Sequence, residues 1–494
     1  MRKAAPIPIP RPFLLPLLFL TCLSACARTD DITIYATARG RGWLWSRPAD
    51  AGKKSGEVGG YAVLKNLYSL DKGPKLAVDL GNWFGETPEG YLTKGLSVAE
   101  CMNAVGYSIA AAGPEDLSLP PAELEKLVRA SSCAVLASNL YLRNNRKPSF
   151  IKSQHIETVG GARIGFLAVT VMTPEKFGVQ RFLPNYKLEK ESYEIERSMR
   201  ALKDAGAGLT VMLLGINPKK RAEKDFYGAF LRKLPHIDLV ITDEPGLKKP
   251  LKAGRTWIVP VPNKLAGAAR IRLGLDPETK RLVRVKAETV SLEKARYGED
   301  LAVLGTVNRQ RGAISKIFSR RLGSAAADMP RREGRTSPLG NFTADCIRRW
   351  ARSDAAVVNN SVLGGDILKG PVTAGDLHRV IAADTSVVFV KIRGEDLKSA
   401  IETISGDVSV SGMEVRMRGA SVEGLTIGGE PVRPGRIYHL AVPDSIVNDR
   451  DYSLLASATE FANSKRPLRE VVGWCISRQA VTPKPDSGRI IRAD

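Results

Sequence analysis

Histidine and cysteine are the side chains that most often bind transition metals or act as nucleophiles, and this 494-residue chain uses them sparingly. It has four histidines in all. A hydrolytic centre built on two cations about 3.5 to 4 Å apart draws on several histidines and carboxylates together. His155 lies shortly before one apolar run, and His236 stands between Pro235 and Ile237 before another. Such isolated positions suit structural or surface histidines rather than a ligand set. Beyond residue 26 the cysteines are Cys101, Cys133, Cys346 and Cys475, with no C-x-x-C pair, so a cysteine-type zinc site is not expected. Their even number fits disulfides in an oxidising compartment, and equally fits buried free thiols. The chain has no Walker-type glycine loop, no G-x-S-x-G turn and no Ser/His/Asp set at a useful spacing.

One cysteine does sit in a chemically specific context. Residues 1–25 begin with Arg2 and Lys3 and carry an apolar run over 13–23 that is too short to span a bilayer. The run ends on Leu23-Ser24-Ala25-Cys26, which has the form of a lipobox, in which Cys26 takes a diacylglycerol and becomes the mature N-terminus. Ala27 follows rather than aspartate, and by resemblance to bacterial lipoproteins this favours the outer membrane, facing the periplasm or exported. The expectation is an envelope lipoprotein held to the membrane by lipid, since no other segment approaches the length of a span.

The formal charge is +22, of which Arg2, Lys3 and Arg11 in the leader account for only three. Basic clusters lie at Lys219-Lys220-Arg221, 248–255, Arg320-Arg321 and 331–335. None is interleaved with aromatics, so nucleic acid is not an expected partner. Anionic lipid, phosphorylated ligands or an envelope protein fit that charge, as do plain solvated faces.

The elements that would position any site can be read from periodicity. Runs at 32–35, 76–81, 162–172 and 209–214 read as strands, the last two as buried ones. Ile195, Met199 and Leu202 mark a helix that ends at Gly206. Alternation of this kind gives an α/β domain over 26–289. Residues 290–330 carry helical steps at Leu301, Leu304, Val307, Ile314, Ile317 and Phe318, interrupted by Gly298, Gly305, Gly312 and Gly323, and read as a connector. In 331–494, Ser337-Pro338 starts a helix. Its stripe is Leu339, Phe342, Cys346 and Trp350, with Thr343 and Ile347 beside it. A strand over 355–358, a loop over 359–370, a helix from Thr373 and a strand over 385–392 follow. The remainder, 408–494, reads as mostly strands, with a hairpin turn at Gly428-Gly429.

The C-terminal order resembles the C-terminal domain of the 5'-nucleotidase and UDP-sugar hydrolase family, on Leu339-Gly340-Asn341, Gly370-Pro371-Val372-Thr373, Gly375-Asp376-Leu377 and Gly394-Glu395-Asp396-Leu397. The resemblance implies a ligand loop at Asn341, Asn359, Asn360 and Tyr452. Two features depart from the family. Residues 360–364 lack its substrate-holding arginine, and Ser445 stands where its base-stacking aromatic would be. Residues 26–289 resemble the family's calcineurin-like metallophosphoesterase domain in ITIYATARGRG, VDLGNWFGETP, MNAVGYSIAAAGPEDLS, VMLLGIN and DLVITDEPG. The expected architecture is therefore a metallophosphoesterase-like α/β sandwich joined by a helical linker to an α+β domain of the 5'-nucleotidase C-terminal type.

In the family this fold holds two divalent metal ions, but the aligned ligands are changed here. Arg39 and Arg41 replace an aspartate and a histidine, Asn82 replaces the bridging aspartate, and Pro114-Glu115 replace an Asn-His pair. The later histidines fall on Gly215, Glu244 and Gly246. Guanidinium is always protonated and cannot ligate, so no bound metal is expected. Arg39 and Arg41 are instead expected to pair with Glu115, Asp116, Asp243 or Glu244, to bind an anion in the cleft, or to face solvent at the strand end. The resulting expectation is a metal-free pseudoenzyme of the family that binds an anionic ligand or partner. The alternative is an active phosphoester or nucleotide hydrolase with a rearranged site. The family's domain swing implies disulfides within domains, Cys101 with Cys133 and Cys346 with Cys475, since a bridge between domains would oppose it.

Overall fold

Apolar residues of the N-terminal half alternate between two destinations, and that alternation builds its layers. The computed structural model describes residues 30–49, 56–85, 87–171, 185–216, 230–231, 234–244, 246–332, 336–381, 385–404, 407–448, 458–478 and 488–493. In the strand Asp30–Thr37, Ile32, Ile34 and Ala36 enter one apolar cluster while Tyr35 enters another. In Ala162–Val171, Ile164, Phe166 and Ala168 join the first cluster, whereas Leu167, Val169 and Val171 point to a third. Side chains two apart share a strand face, so both strands are covered on both sides.

Two six-stranded sheets result. The first runs Leu282–Ser291, Gly267–Leu275, Asp30–Thr37, Lys75–Asp79, Ile109–Ala111, Ala134–Leu136. The second runs Leu251–Ala253, Thr256–Pro260, Leu239–Thr242, Leu209–Ile216, Ala162–Val171, Gln154–Val159. Helices Tyr61–Leu70, Leu96–Val105 and Pro121–Ala130 cover the outer face of the first sheet through Leu64, Leu67, Val98, Met102, Leu124 and Leu127. Helix Glu191–Asp204 covers the second through Ile195 and Leu202. The last four strands of the first sheet run parallel, as do four of the second. In open α/β sheets the loops beyond the carboxyl ends of such strands are where ligands bind.

The connector is firmer than its glycines suggest. Helix Leu301–Phe318 runs unbroken through Gly305 and Gly312. Asp300 caps it by accepting the Val303 N–H at 2.9 Å, and Val303 and Val307 are buried in the N-terminal core. That burial outweighs the roughly 1 kcal/mol penalty of each helical glycine. After the helix, Arg321–Ala325 pairs with Gly370–Thr373, so the chain has already joined the C-terminal unit there.

That unit is built on a five-stranded sheet in the order Val408–Ser411, Ala355–Asn359, Ile437–Pro443, Ser386–Arg393, Ala458–Pro467. Helix Pro338–Ala351 packs on one face with Leu339, Phe342, Cys346 and Ile347. Helix Gly394–Ile404 packs on the other with Leu397, Ala400 and Ile401. Ser337 caps the first of these by accepting the Gly340 N–H. Helix Ala374–Val380 opens with a capping box between Thr373 and Asp376. Gly428 and Gly429 both have positive φ, 63° and 86°, as a two-residue hairpin turn of the primed type requires.

Two readings of the sequence need correction. The stretch beyond 408 is not only strands, because Leu468–Ser477 is a helix whose Leu468, Val471, Val472, Cys475 and Ile476 are buried. Cys475 on that helix is bonded to Cys346, with their Cα atoms 5.5 Å apart. The expected Cys101–Cys133 bridge is absent, and both residues are buried free thiols. Cys101 points from its helix into the core, while the Cys133 Sγ lies 3.3 Å from Ser131 Oγ. Burial pushes both thiols up, Cys101 to about 12 and Cys133 to about 11.

Candidate functional site

The segment beyond the first strand is laid against the segment beyond its neighbour by backbone bonds. Arg39 N–H donates to Gly81 O at 3.0 Å and Arg41 N–H to Asn82 O at 2.9 Å. Arg39, Arg41 and Asn82 all have positive φ, at 50°, 45° and 63°. Side chains other than glycine rarely adopt that region, and a cluster of three marks a conformation imposed by its surroundings.

Both arginines are paired. Arg39, 4 % exposed, donates Nε to Asp243 Oδ2 at 2.7 Å across the gap between the two sheets. Arg41 makes a two-pronged contact with Glu115, through Nε to Oε2 at 2.8 Å and through Nη2 to Oε1. Burial pushes the Glu115 carboxyl up against the opposing pull of Arg41. The carboxyl ends of the two parallel arrays therefore meet, tied by two ion pairs.

Asp116 has a different role. Its Oδ2 accepts the N–H groups of Asn82 and Gly113 at 2.6 and 3.0 Å, and its Oδ1 those of Trp83 and Phe84 at 2.8 and 3.1 Å. A fully enclosed carboxylate thus fills a nest of backbone donors and binds the 82–84 loop to the 113–116 loop. Burial raises its pKa to about 6, and the four N–H groups work against that rise. Asn82 completes the junction: its Oδ1 accepts the Glu115 N–H at 2.9 Å, while its enclosed Nδ2 has no partner among the described residues. Gly113 is required here by close approach, since a Cβ would lie 2.4 Å from Asn82 Oδ1. Glu244, 5 % exposed beside Asp243, takes the Gly246 N–H at 3.2 Å.

Asp79 belongs to this centre and was not singled out in the sequence. It ends the strand Lys75–Asp79 and is 1 % exposed. It accepts from Thr37 Oγ1 at 2.5 Å, Trp83 Nε1 at 2.7 Å and Gly81 N–H at 2.8 Å. Burial raises its pKa to about 6 against those three bonds. A lone carboxylate closing an apolar run was the available signal, because a buried acid must find donors.

Asn359 and Asn360 of the C-terminal loop form a separate hydrogen-bonded group. Asn360 Oδ1 accepts from Ser337 and Ser409, each at 3.0 Å. Asn359 Nδ2 donates to Ser361 at 2.7 Å, and its Oδ1 accepts from Ser445 at 2.9 Å. Asn341 is fully buried on helix Pro338–Ala351. Gly340 beside it allows that packing, since a Cβ would meet Ser409 Oγ at 2.2 Å. Tyr452 and Cys26 lie outside the described residues. His155 and His236 make local pairs with Glu157 and Asp238, at 3.2 and 3.1 Å.

The described residues do not fit a pair of divalent cations at this rim. Two guanidinium groups occupy it, and Asp243 and Glu115, the acids beside them, are engaged by those groups. Among the described residues no three of His, Cys, Asp or Glu are grouped as metal ligands would be.

Residues 314–455 match the family described as the 5'-nucleotidase C-terminal domain. Over that stretch the chain carries a 5'-nucleotidase C-terminal domain. An uncharacterized metallophosphoesterase of Bacillus subtilis (strain 168), YunD, is 23% identical over 429 residues, covering 78% of this chain and 87% of its own length. The 5'-nucleotidase precursor of Thermus thermophilus superposes with a TM-score of 0.63 at 18% identity, covering 94% of this chain and 99% of that one. A Staphylococcus aureus structure, described as a 5'-nucleotidase in complex with alpha-ketoglutarate, gives a TM-score of 0.72 at 14% identity with the same coverages. At those identities the solved structures establish the fold, a phosphoesterase-like N-terminal domain followed by a 5'-nucleotidase C-terminal domain.

Proposed function

We propose that this 5'-nucleotidase-family protein is a metal-free pseudoenzyme of the cell envelope, which uses the family's two-domain scaffold to bind an anionic ligand or partner. The observation that carries the reading is the pairing of Arg39 with Asp243 and of Arg41 with Glu115 where the fold would hold cations. Guanidinium supplies a permanent positive charge at that point, so the carboxylates are neutralised without metal. A divalent ion would have to displace charge-assisted bonds while lying next to like charge. An anion approaching the rim would meet Arg41, which is partly open to solvent.

The competing reading is a hydrolase of the same family with a rearranged site, which the buried acids Asp79, Asp243 and Glu244 favour. Metal analysis of the purified protein, with hydrolysis of an aryl phosphate, separates the two. The pseudoenzyme reading expects substoichiometric metal and no turnover. Stoichiometric manganese or zinc, with phosphatase activity that a chelator abolishes, would overturn it. The envelope assignment rests on Leu23-Ser24-Ala25-Cys26 and has its own test. A Cys26→Ser variant should move from the membrane pellet to the soluble fraction, and one that stays in the pellet with its lipid label refutes the anchor.

A further inference from the structure

We propose that the amino-terminal end of the second sheet, opposite the paired arginines, is a binding site for an organic phosphate ester. A cavity of about 870 Å³ opens there between helix Glu191–Asp204 and the starts of strands Leu209–Ile216 and Leu239–Thr242. Its volume lies within the roughly 300 to 1,000 Å³ usual for small-molecule sites. Thr210 and Asp238 mark the strand starts, whereas Asp243 lies past the other end of Leu239–Thr242, so this cavity is distinct from the rim described above.

Four cations line it. Arg200 and Lys203 come from one face of the helix, Arg255 from the turn before Thr256–Pro260, and Arg281 from just before Leu282–Ser291. None of the four has an ion pair or side-chain hydrogen bond among the described residues. That is a local property, since Arg197 on the same helix pairs with Glu194 and Arg270 on the first sheet pairs with Glu288. Two acids share the described lining: Glu196, and Asp238, whose oxygens are turned to the Thr210 N–H and hydroxyl, both at 2.9 Å, and to His236 at 3.1 Å.

Four cations against the two carboxylates Glu196 and Asp238 leave the described lining with a surplus of positive charge, and that potential draws an anion. A phosphate ester offers three charged or acceptor oxygens where a carboxylate offers two, so it can engage several of these guanidinium forks at once. Met199, Ala207 and Leu282 supply an apolar wall, so the ligand is an organic phosphate rather than the bare ion. Free phosphate esters and the phosphate headgroups of lipids share this chemistry.

The test titrates the full chain with 1-naphthyl phosphate, with inorganic phosphate, and with phosphatidylcholine vesicles with and without phosphatidic acid. Saturable binding of naphthyl phosphate at one site per chain is expected, about tenfold tighter than inorganic phosphate because of the apolar wall. Combined Arg200→Ala, Arg255→Ala and Arg281→Ala should weaken it by about tenfold or more, as should Lys203→Glu alone. Removing Arg416, Arg418 and Arg466, which pair elsewhere with glutamates, should leave it unchanged. Phosphatidic acid vesicles that bind through the same four residues identify a headgroup as the source, and binding of the soluble ester alone identifies a free ligand. Absence of saturable binding to either, equal losses in the control variant, or full binding by the cavity variants would overturn the proposal.

Discussion

Asp116 shows how much one side chain contributes at this centre. Each of its oxygens accepts two backbone N–H groups, so Asp116→Ala leaves four enclosed donors without partners. An orphaned buried donor costs about 1 to 3 kcal/mol, and even with partial relaxation the loss should reach about 3 kcal/mol or more in denaturant unfolding. Asp116→Asn keeps one acceptor oxygen but turns an amide N–H2 toward two donors, which leaves two backbone and two amide N–H groups unpaired, so it should lose about as much as the alanine variant. Arg39 has a similar weight for another reason. Its removal strands a fully buried Asp243 carboxylate, and Arg39→Ala should destabilise by about 3 to 5 kcal/mol. Replacing Arg39 and Asp243 together with apolar residues should recover most of that. A double variant as unstable as Arg39→Ala would show that the pair is not what the arginine contributes.

At the scale of elements, the disulfide joins helix Pro338–Ala351 to helix Leu468–Ser477, which are far apart in sequence but share one apolar cluster. A cross-link spanning 129 residues removes much freedom from the unfolded chain. Replacing both cysteines by serine should cost about 2 to 5 kcal/mol and lower the melting temperature. Thiol titration of the chain beginning at residue 27, unfolded without reductant, should find Cys101 and Cys133 reactive and Cys346 and Cys475 silent. Four reactive thiols would refute the bond. In the folded state the two free thiols should react slowly, because burial holds them protonated and covered.

For the whole molecule, the two halves are joined by a cluster of rings. Phe84 stacks on Tyr91 at 5.7 Å, Tyr91 meets His378 edge-on at 5.6 Å, and His378 meets Phe318 of the connecting helix at 5.1 Å. The Arg469 guanidinium lies 4.2 Å above the Tyr91 ring. Burial, with Arg469 adding to it, lowers the His378 pKa to about 3 from 6.5. The unfolded chain therefore takes up this proton at higher pH than the folded one. The stability His378 contributes is complete above about pH 6.5 and declines as the pH falls toward about 3. Asp79 and Asp116 act with the opposite sign, since their folded values near 6 exceed 3.8 and the folded state gains protons first. Only a variant isolates the effect of the histidine. His378→Phe keeps the ring contacts without a titrating group, and its stability between pH 6.5 and 3 should fall less than that of the unaltered chain. Parallel pH profiles would remove His378 from the domain contact.

The sequence by itself determined the α/β character of the N-terminal half and the places of several elements. Alternating apolar residues at 32–36 and 162–171, the Ser337-Pro338 start and the paired glycines 428 and 429 act through local sterics and two-residue periodicity, which neighbours in the chain fully specify. It also named residues that meet at the rim, Arg39, Arg41, Asn82, Glu115, Asp116 and Asp243, but not Asp79. What each does there was decided by tertiary structure, because partners come from segments up to 204 residues apart, as Arg39 and Asp243 are. Glu115 and Asp116 are adjacent in sequence, yet one pairs with Arg41 and the other fills a backbone nest. The cysteines make the same point. Spacing could not tell the bridged pair from the two free thiols, since a disulfide depends on Cα separation and side-chain direction after folding. The cavity at the far end of the second sheet was equally hidden, because Arg200, Lys203, Arg255 and Arg281 belong to three separate stretches of sequence that only the packing of helix on sheet brings together.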